Sequence, residues 1–313
     1  MVLIGLGTAG LVVVLDHPAT DAGRPELTAR GDADFVHAAP TLAADVVALS
    51  TQTDAVASDG RAVMDRLRRQ DTAGAHQALA DGDAAVAAAT TALDDLTQAR
   101  DALVGELGGT RLGTANTLSL SSIGTAIAGS ASLGTDWDEV TASSTPVIAV
   151  IESLGRHDAL TYQATESARA SDFSTALSTL TAAGTELDTA RGLRDRLVQQ
   201  GDVSTLSDWI DRAAAYDAAL AKLYGLLQAS GGVMTADATN ALAAVDTAQA
   251  ALPANTGALV VIVAEIGAQG YTDGLLGIDK VRGAIEGAMT ALGATAEPSA
   301  QPPAAPSPSA STQ

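Results

Sequence analysis

The segment Asp172 to Leu197, DFSTALSTLTAAGTELDTARGLRDRL, constrains this chain more than any other stretch. Phe173, Leu177, Leu180, Leu187 and Leu197 recur at helical steps, with Gly184, Arg191 and Arg194 as the weak positions of the stripe. At 3.6 residues per turn such positions share one side, so the spacing predicts a helix buried along a single flank. One buried flank demands partner helices. Leu42, Val46, Leu49, Thr53, Val56, Gly60, Val63 and Leu67 keep the same rhythm, followed by Val86, Leu93, Leu96, Leu103 and Leu107. Leu206, Ile210, Ala213, Tyr216, Leu220, Leu223 and Leu227 form the cleanest heptad, stopped by Gly231 and Gly232. The expected fold class is therefore all-α, an antiparallel helical bundle or a set of repeated αα-hairpins, with two related halves as one form of it.

End signals divide the chain further. Residues 16–40 hold Pro18, Gly23, Pro25 and Gly31 and read as a polar tether, with Thr41 as the N-cap of the first long helix. Arg61, Arg66, Arg68 and Arg69 then suit the negative end of that helix. A short helical piece is expected to end near Ala80, with Asp81, Gly82 and Asp83 as turn and cap before the next helix. Residues 41–107 make a first helical half, and the Gly, Ser and Thr-rich residues 108–145 a connection. Residues 146–296 make a second half, opened by Pro146 and broken at Gly201 and Asp202. Ser204 or Thr205 caps the heptad helix, and Thr235 starts another. The Pro, Ala and Ser-rich residues 297–313 cannot bury a core and are expected to be disordered.

The central segment has two weaker copies. Asp81, Ala85, Val86, Leu96, Ala99 and Arg100 lie over Asp172, Ala176, Leu177, Leu187, Ala190 and Arg191 at one constant offset. Gly270, Tyr271, Leu275, Ile278 and Ile285 lie over Asp172, Phe173, Leu177, Leu180 and Leu187 at a second. Ser171, Asp172 and Phe173, followed by Ala176, Leu177, Leu180 and Ala183, resemble the turn and second helix of a tetratricopeptide hairpin. The copies stand much further apart than the ~34 residues of that repeat, so no tandem array is expected. The resemblance implies a concave helical face that binds a peptide or protein.

Composition removes several functions. No cysteine is present, which excludes disulfides, thiolate metal sites and cysteine nucleophiles. A net charge of −20 repels phosphate backbones, and 3% aromatic residues leave few platforms for stacking bases, so no nucleic-acid partner is expected. An aliphatic, Ala-rich core lets helices approach closely and favours grooves over deep pockets.

Met1 to Leu15, MVLIGLGTAGLVVVL, carries no charged side chain. It is shorter than the ~20 residues of a bilayer span but matches the apolar core of an export signal. Residues 1–15 are therefore expected to be an export signal or membrane anchor. That makes the protein extracytoplasmic, secreted or attached to a membrane through this segment, with a cytoplasmic protein as the alternative. Gly5, Gly7 and Gly10 spell G-x-G-x-x-G, with Asp32 further on, but Pro18 stops any crossover helix and no strand alternation follows, so no cofactor is expected. Leu252 to Gly257, LPANTG, has one residue too many for a sorting signal, and Glu265 interrupts the apolar run behind it.

Trp137 with Asp136, Asp138 and Glu139 suggests calcium, yet the spacing lacks the glycine and distal Glu of an EF-hand and fits an acidic helix start. His157 and Asp158 are adjacent and point to different sides of a helix, so neither orients the other without an outside partner. His17, His37 and His76 share no metal-ligand spacing. No catalytic, cofactor-binding or metal residue is assigned. Trp209, Tyr216 and Tyr224 make the heptad helix the aromatic one, suited to the core or to a partner-binding ridge. The expected function is a non-enzymatic, exported binding or scaffold module presenting a groove to an unknown protein or peptide. A structural acidic spacer of the cell envelope and an enzyme of unrecognised type are the alternatives.

Overall fold

The computed structural model describes residues 25–108, 110–252, 263, 266 and 268–294. Helices account for all the regular structure among them: α1 (Pro25–Arg68), α2 (Thr72–Leu107), α3 (Thr114–Ser130), α4 (Leu133–Arg169), α5 (Phe173–Leu197), α6 (Ser204–Ala229), α7 (Ala236–Ala251) and α8 (Ala268–Leu292). The all-α expectation therefore holds for the described residues. Residues 1–15, the sorting-like segment beyond Leu252 and the 297–313 tail lie outside them.

Every position of the α1 stripe, from Leu42 to Leu67, is buried. The helix begins at Pro25, however, so 25–40 is not a tether and Thr41 is not a cap. Phe35, 4% exposed, extends the stripe backwards, and Pro40 lies inside the helix. Proline frees the carbonyl four residues earlier, here that of the exposed Val36, where water can satisfy it. Pro146 likewise lies within α4 rather than opening it, and the carbonyl it frees belongs to the exposed Ala142. The 108–145 connection is mostly α3 and the start of α4.

Asp81, Gly82 and Asp83 form no turn. α2 runs straight through them, and Gly82 is required by packing: a Cβ there would stand 2.1 Å from the Trp137 ring. Asp81 is thus mid-helix where its counterpart Asp172 is an N-cap accepting from the Thr175 N–H, so the sequence copies are not copies of one hairpin. Other signals were accurate. Thr235 caps α7 through the Ala238 N–H at 3.2 Å, and α6 ends before Gly231 and Gly232, whose φ values of 64° and 86° are left-handed. α6 does begin at Ser204, but its N-cap position is Val203, and Asp202 before it accepts from the Ser204 N–H at 2.9 Å.

The chain forms two compact units, neither of which is a sequential half. Among the described residues, one combines 25–50, 91–128 and 284–294. Within it Asp32 accepts from the Gly113 N–H and the Asn116 side chain, each at 2.8 Å, and Ser119 donates to the Ala291 carbonyl. The other combines residues 51–90 and 129–283. There α4 packs along α5, α5 along α6 and α6 along α7, and the short turns between them make neighbours antiparallel. Ala164, Ala176, Leu180, Leu220, Leu223, Tyr224, Ala238, Ala241 and Val245 form its shared core. Alanines hold close approach along α4, α5 and α7, while leucines and Tyr224 fill the volume between them.

Candidate functional site

The second unit holds an open groove between α5 and α6 of about 290 Å³. α5 contributes Leu177, Leu180 and Thr181, and α6 contributes Asp217, Ala218 and Ala221. The buried stripe of α5 is Ala176, Thr179, Leu180, Ala183, Leu187, Ala190 and Leu197, which keeps Leu180, Leu187 and Leu197 of the leucine spacing and leaves out Phe173 and Leu177. Leu177 is half-buried on the groove wall and Phe173 half-buried at the helix start. On α6 the small side chains of Ala218 and Ala221 keep the opposite wall low. The Thr181 hydroxyl donates to the Leu177 carbonyl at 3.0 Å, which leaves its methyl group as an apolar feature of the rim.

Asp217 is the one charged lining residue, and it is buried, at 8% exposure. Its partner is His157 of α4, 3% exposed, whose Nε2 lies 2.9 Å from one Asp217 oxygen. The Thr161 hydroxyl donates to the other Asp217 oxygen at 3.3 Å, and Nδ1 of His157 lies 3.2 Å from Asp158. Trp209 of α6 sets its ring edge-on to the imidazole, with centroids 6.0 Å apart. A neutral imidazole has a single N–H, whereas here carboxylate oxygens face both ring nitrogens, so the geometry calls for imidazolium. Burial opposes that charge, but the hydrogen bonds and fields of Asp158 and Asp217 outweigh it and push the His157 pKa up from 6.5 to about 9. Doubly protonated, His157 has no lone pair with which to act as a base.

A second polar knot ties α4 to α5. Ser153 donates to the Glu186 backbone carbonyl and carboxylate at 2.8 and 2.9 Å, and Arg156 pairs with the same carboxylate at 3.0 Å. The Arg156 bond is the main cause holding Glu186 below the usual carboxylate range. His76 of α2 meets Glu152 at 3.1 Å beside it.

His157 contacts its neighbour Asp158 with the help of an outside partner, Asp217, which holds the other ring nitrogen. Trp137 donates from its indole N–H to Asp83 at 2.6 Å, while Asp136 accepts from Ser132, which makes that cluster a helix start and a packing contact. Among the described residues no three His, Asp or Glu side chains stand close enough to hold a metal ion. Tyr224 and Trp209 are buried and Tyr216 half-buried, so α6 turns its aromatics inward. Asp217 and Thr161 were missed. The available signal was an acidic residue three positions before Leu220 and four after Ala213, in the middle of an apolar heptad.

Among the described residues no helix is long and apolar enough to cross a membrane. No protein-family model matches the chain, and no curated protein or solved structure shows significant similarity to it.

Proposed function

We propose that this protein is a non-enzymatic helical binding module that receives a peptide segment of another protein in the α5/α6 groove. The observation that carries this is the groove itself, an open trough walled by Leu177, Leu180, Ala218 and Ala221 with one buried carboxylate at its floor. Apolar walls with few fixed polar groups suit a side chain entering between two helices. The polar knots beneath it fix α4 against α5 and α6, so the groove is set before a ligand arrives and ordering costs are small. The apolar start of the chain supports an exported or anchored location for this module.

Peptides selected from a random library against the whole chain test this. Ala221→Trp fills the groove from a half-buried position, and selected peptides are expected to lose at least tenfold in affinity to it while helix content by circular dichroism is unchanged. Undiminished binding to Ala221→Trp refutes the groove as the receptor.

A further inference from the structure

We infer that the groove selects a cationic side chain, lysine or arginine, on the incoming peptide, an inference that rests on the peptide-binding function proposed above. One imidazolium, His157, lies between two carboxylates, Asp158 and Asp217, so this cluster carries one negative charge in excess. Asp217 is the member of the cluster that lines the groove, and no other lining residue is charged. Thr161 donates to the Asp217 oxygen that His157 does not bind, yet at 3.3 Å this is a long contact that leaves acceptor capacity. A lysine or arginine stem would lie against Leu177, Leu180, Ala218 and Ala221 while its head reaches the carboxylate.

The wider field points the same way. The chain carries a net charge of −20, which raises the local concentration of basic partners. The exposed Lys222, next to Ala221, is the cation nearest in sequence to the groove, whereas Arg156, Arg169, Arg191, Arg194 and Arg212 of α4 to α6 are already paired with Glu186, Glu166, Asp188, Asp195 and Asp208. These arginines therefore do little to neutralise the groove for an acidic ligand. A like charge brought to Asp217 would be repelled in a poorly hydrated setting, where such repulsion is strong.

Methyl-labelled full-length protein, titrated with two synthetic 14-residue helical peptides, tests the inference. One peptide is built of Leu, Ala and Lys, and the other has Glu at every Lys position. The Lys peptide is expected to shift the methyl resonances of Leu177, Leu180, Thr181, Ala218 and Ala221, and the Glu peptide to bind about tenfold or more weakly. Thr181→Lys places a competing cation on the exposed rim without touching the His157 cluster, and is expected to weaken the Lys peptide by a similar factor. Equal binding of both peptides in the groove overturns the charge preference and leaves the peptide-binding function standing. Shifts confined to residues outside the groove reduce the effect to attraction by net charge and overturn the inference. Failure of both peptides to move the groove resonances counts against the inference and the function together.

Discussion

Raising the pH should loosen the contact between α4 and α6, and His157→Gln should abolish that response. Imidazolium satisfies both Asp158 and Asp217, whereas the neutral ring donates to only one of them. The folded pKa of about 9 stands above the 6.5 of an unperturbed imidazole, so the folded state holds the proton more tightly than the unfolded state. At about 1.36 kcal/mol per tenfold change in proton affinity, the charged form contributes about 3 kcal/mol. A raised histidine pKa stabilises fully below the unfolded value, so the contribution is present at pH 6, declines as the pH rises from 6.5, and is lost above about 9. Native-state hydrogen exchange of α4 and α6 amides, corrected for intrinsic exchange chemistry, measures it locally. Wild type is expected to lose about 3 kcal/mol of protection free energy between pH 6 and pH 9.5, while His157→Gln starts lower and stays flat. His37 and His76 are common to both proteins, so the difference between the two profiles isolates His157. Parallel profiles, or a wild type that gains protection with pH, would refute the assignment of imidazolium.

Two glycine substitutions have opposite expected signs. Gly82→Ala drives a methyl to 2.1 Å from the Trp137 ring and is expected to destabilise by about 1–3 kcal/mol, with a weakened near-ultraviolet signal from Trp137, as read by thermal and spectroscopic melts. Gly155→Ala, at an exposed site inside α4 with nothing within 4 Å of the new Cβ, is expected to stabilise by about 0.5–1 kcal/mol in the same melts.

Helices were legible because periodicity reports burial directly. The Leu42 to Leu67 stripe is followed position for position, Thr235 marks a helix start through its capping side chain, and Gly231 and Gly232 mark an end where the left-handed backbone favours glycine. Gly and Pro were misleading where tertiary contacts override local preference. Gly82 looks like a turn and is a cavity for an indole, and Pro40 and Pro146 look like boundaries and are tolerated because the carbonyls they free are on exposed residues. The compact units gather distant segments, and nothing in a local pattern reveals which stretches will meet.

The groove was less legible, for a reason rooted in the alanines. In a leucine-lined helix the large residues name the buried face, but in α5 Ala176, Ala183 and Ala190 share the stripe with Leu180, Leu187 and Leu197, and leucine spacing alone also assigns Leu177 to it. Leu177 instead is half-buried on the groove wall, at the edge of the core. On α6 Tyr216, placed in the heptad by its size, is half-buried, while its neighbour Asp217 is buried at 8% exposure. A buried carboxylate is tolerable only with a partner, and no local rule says that α4 will supply one from His157, sixty residues earlier. Pairing across that distance follows from α4 and α6 lying on a common partner, α5. The chemistry of the groove is thus set by helix register, which in an Ala-rich chain is fixed by packing rather than announced by the largest side chains.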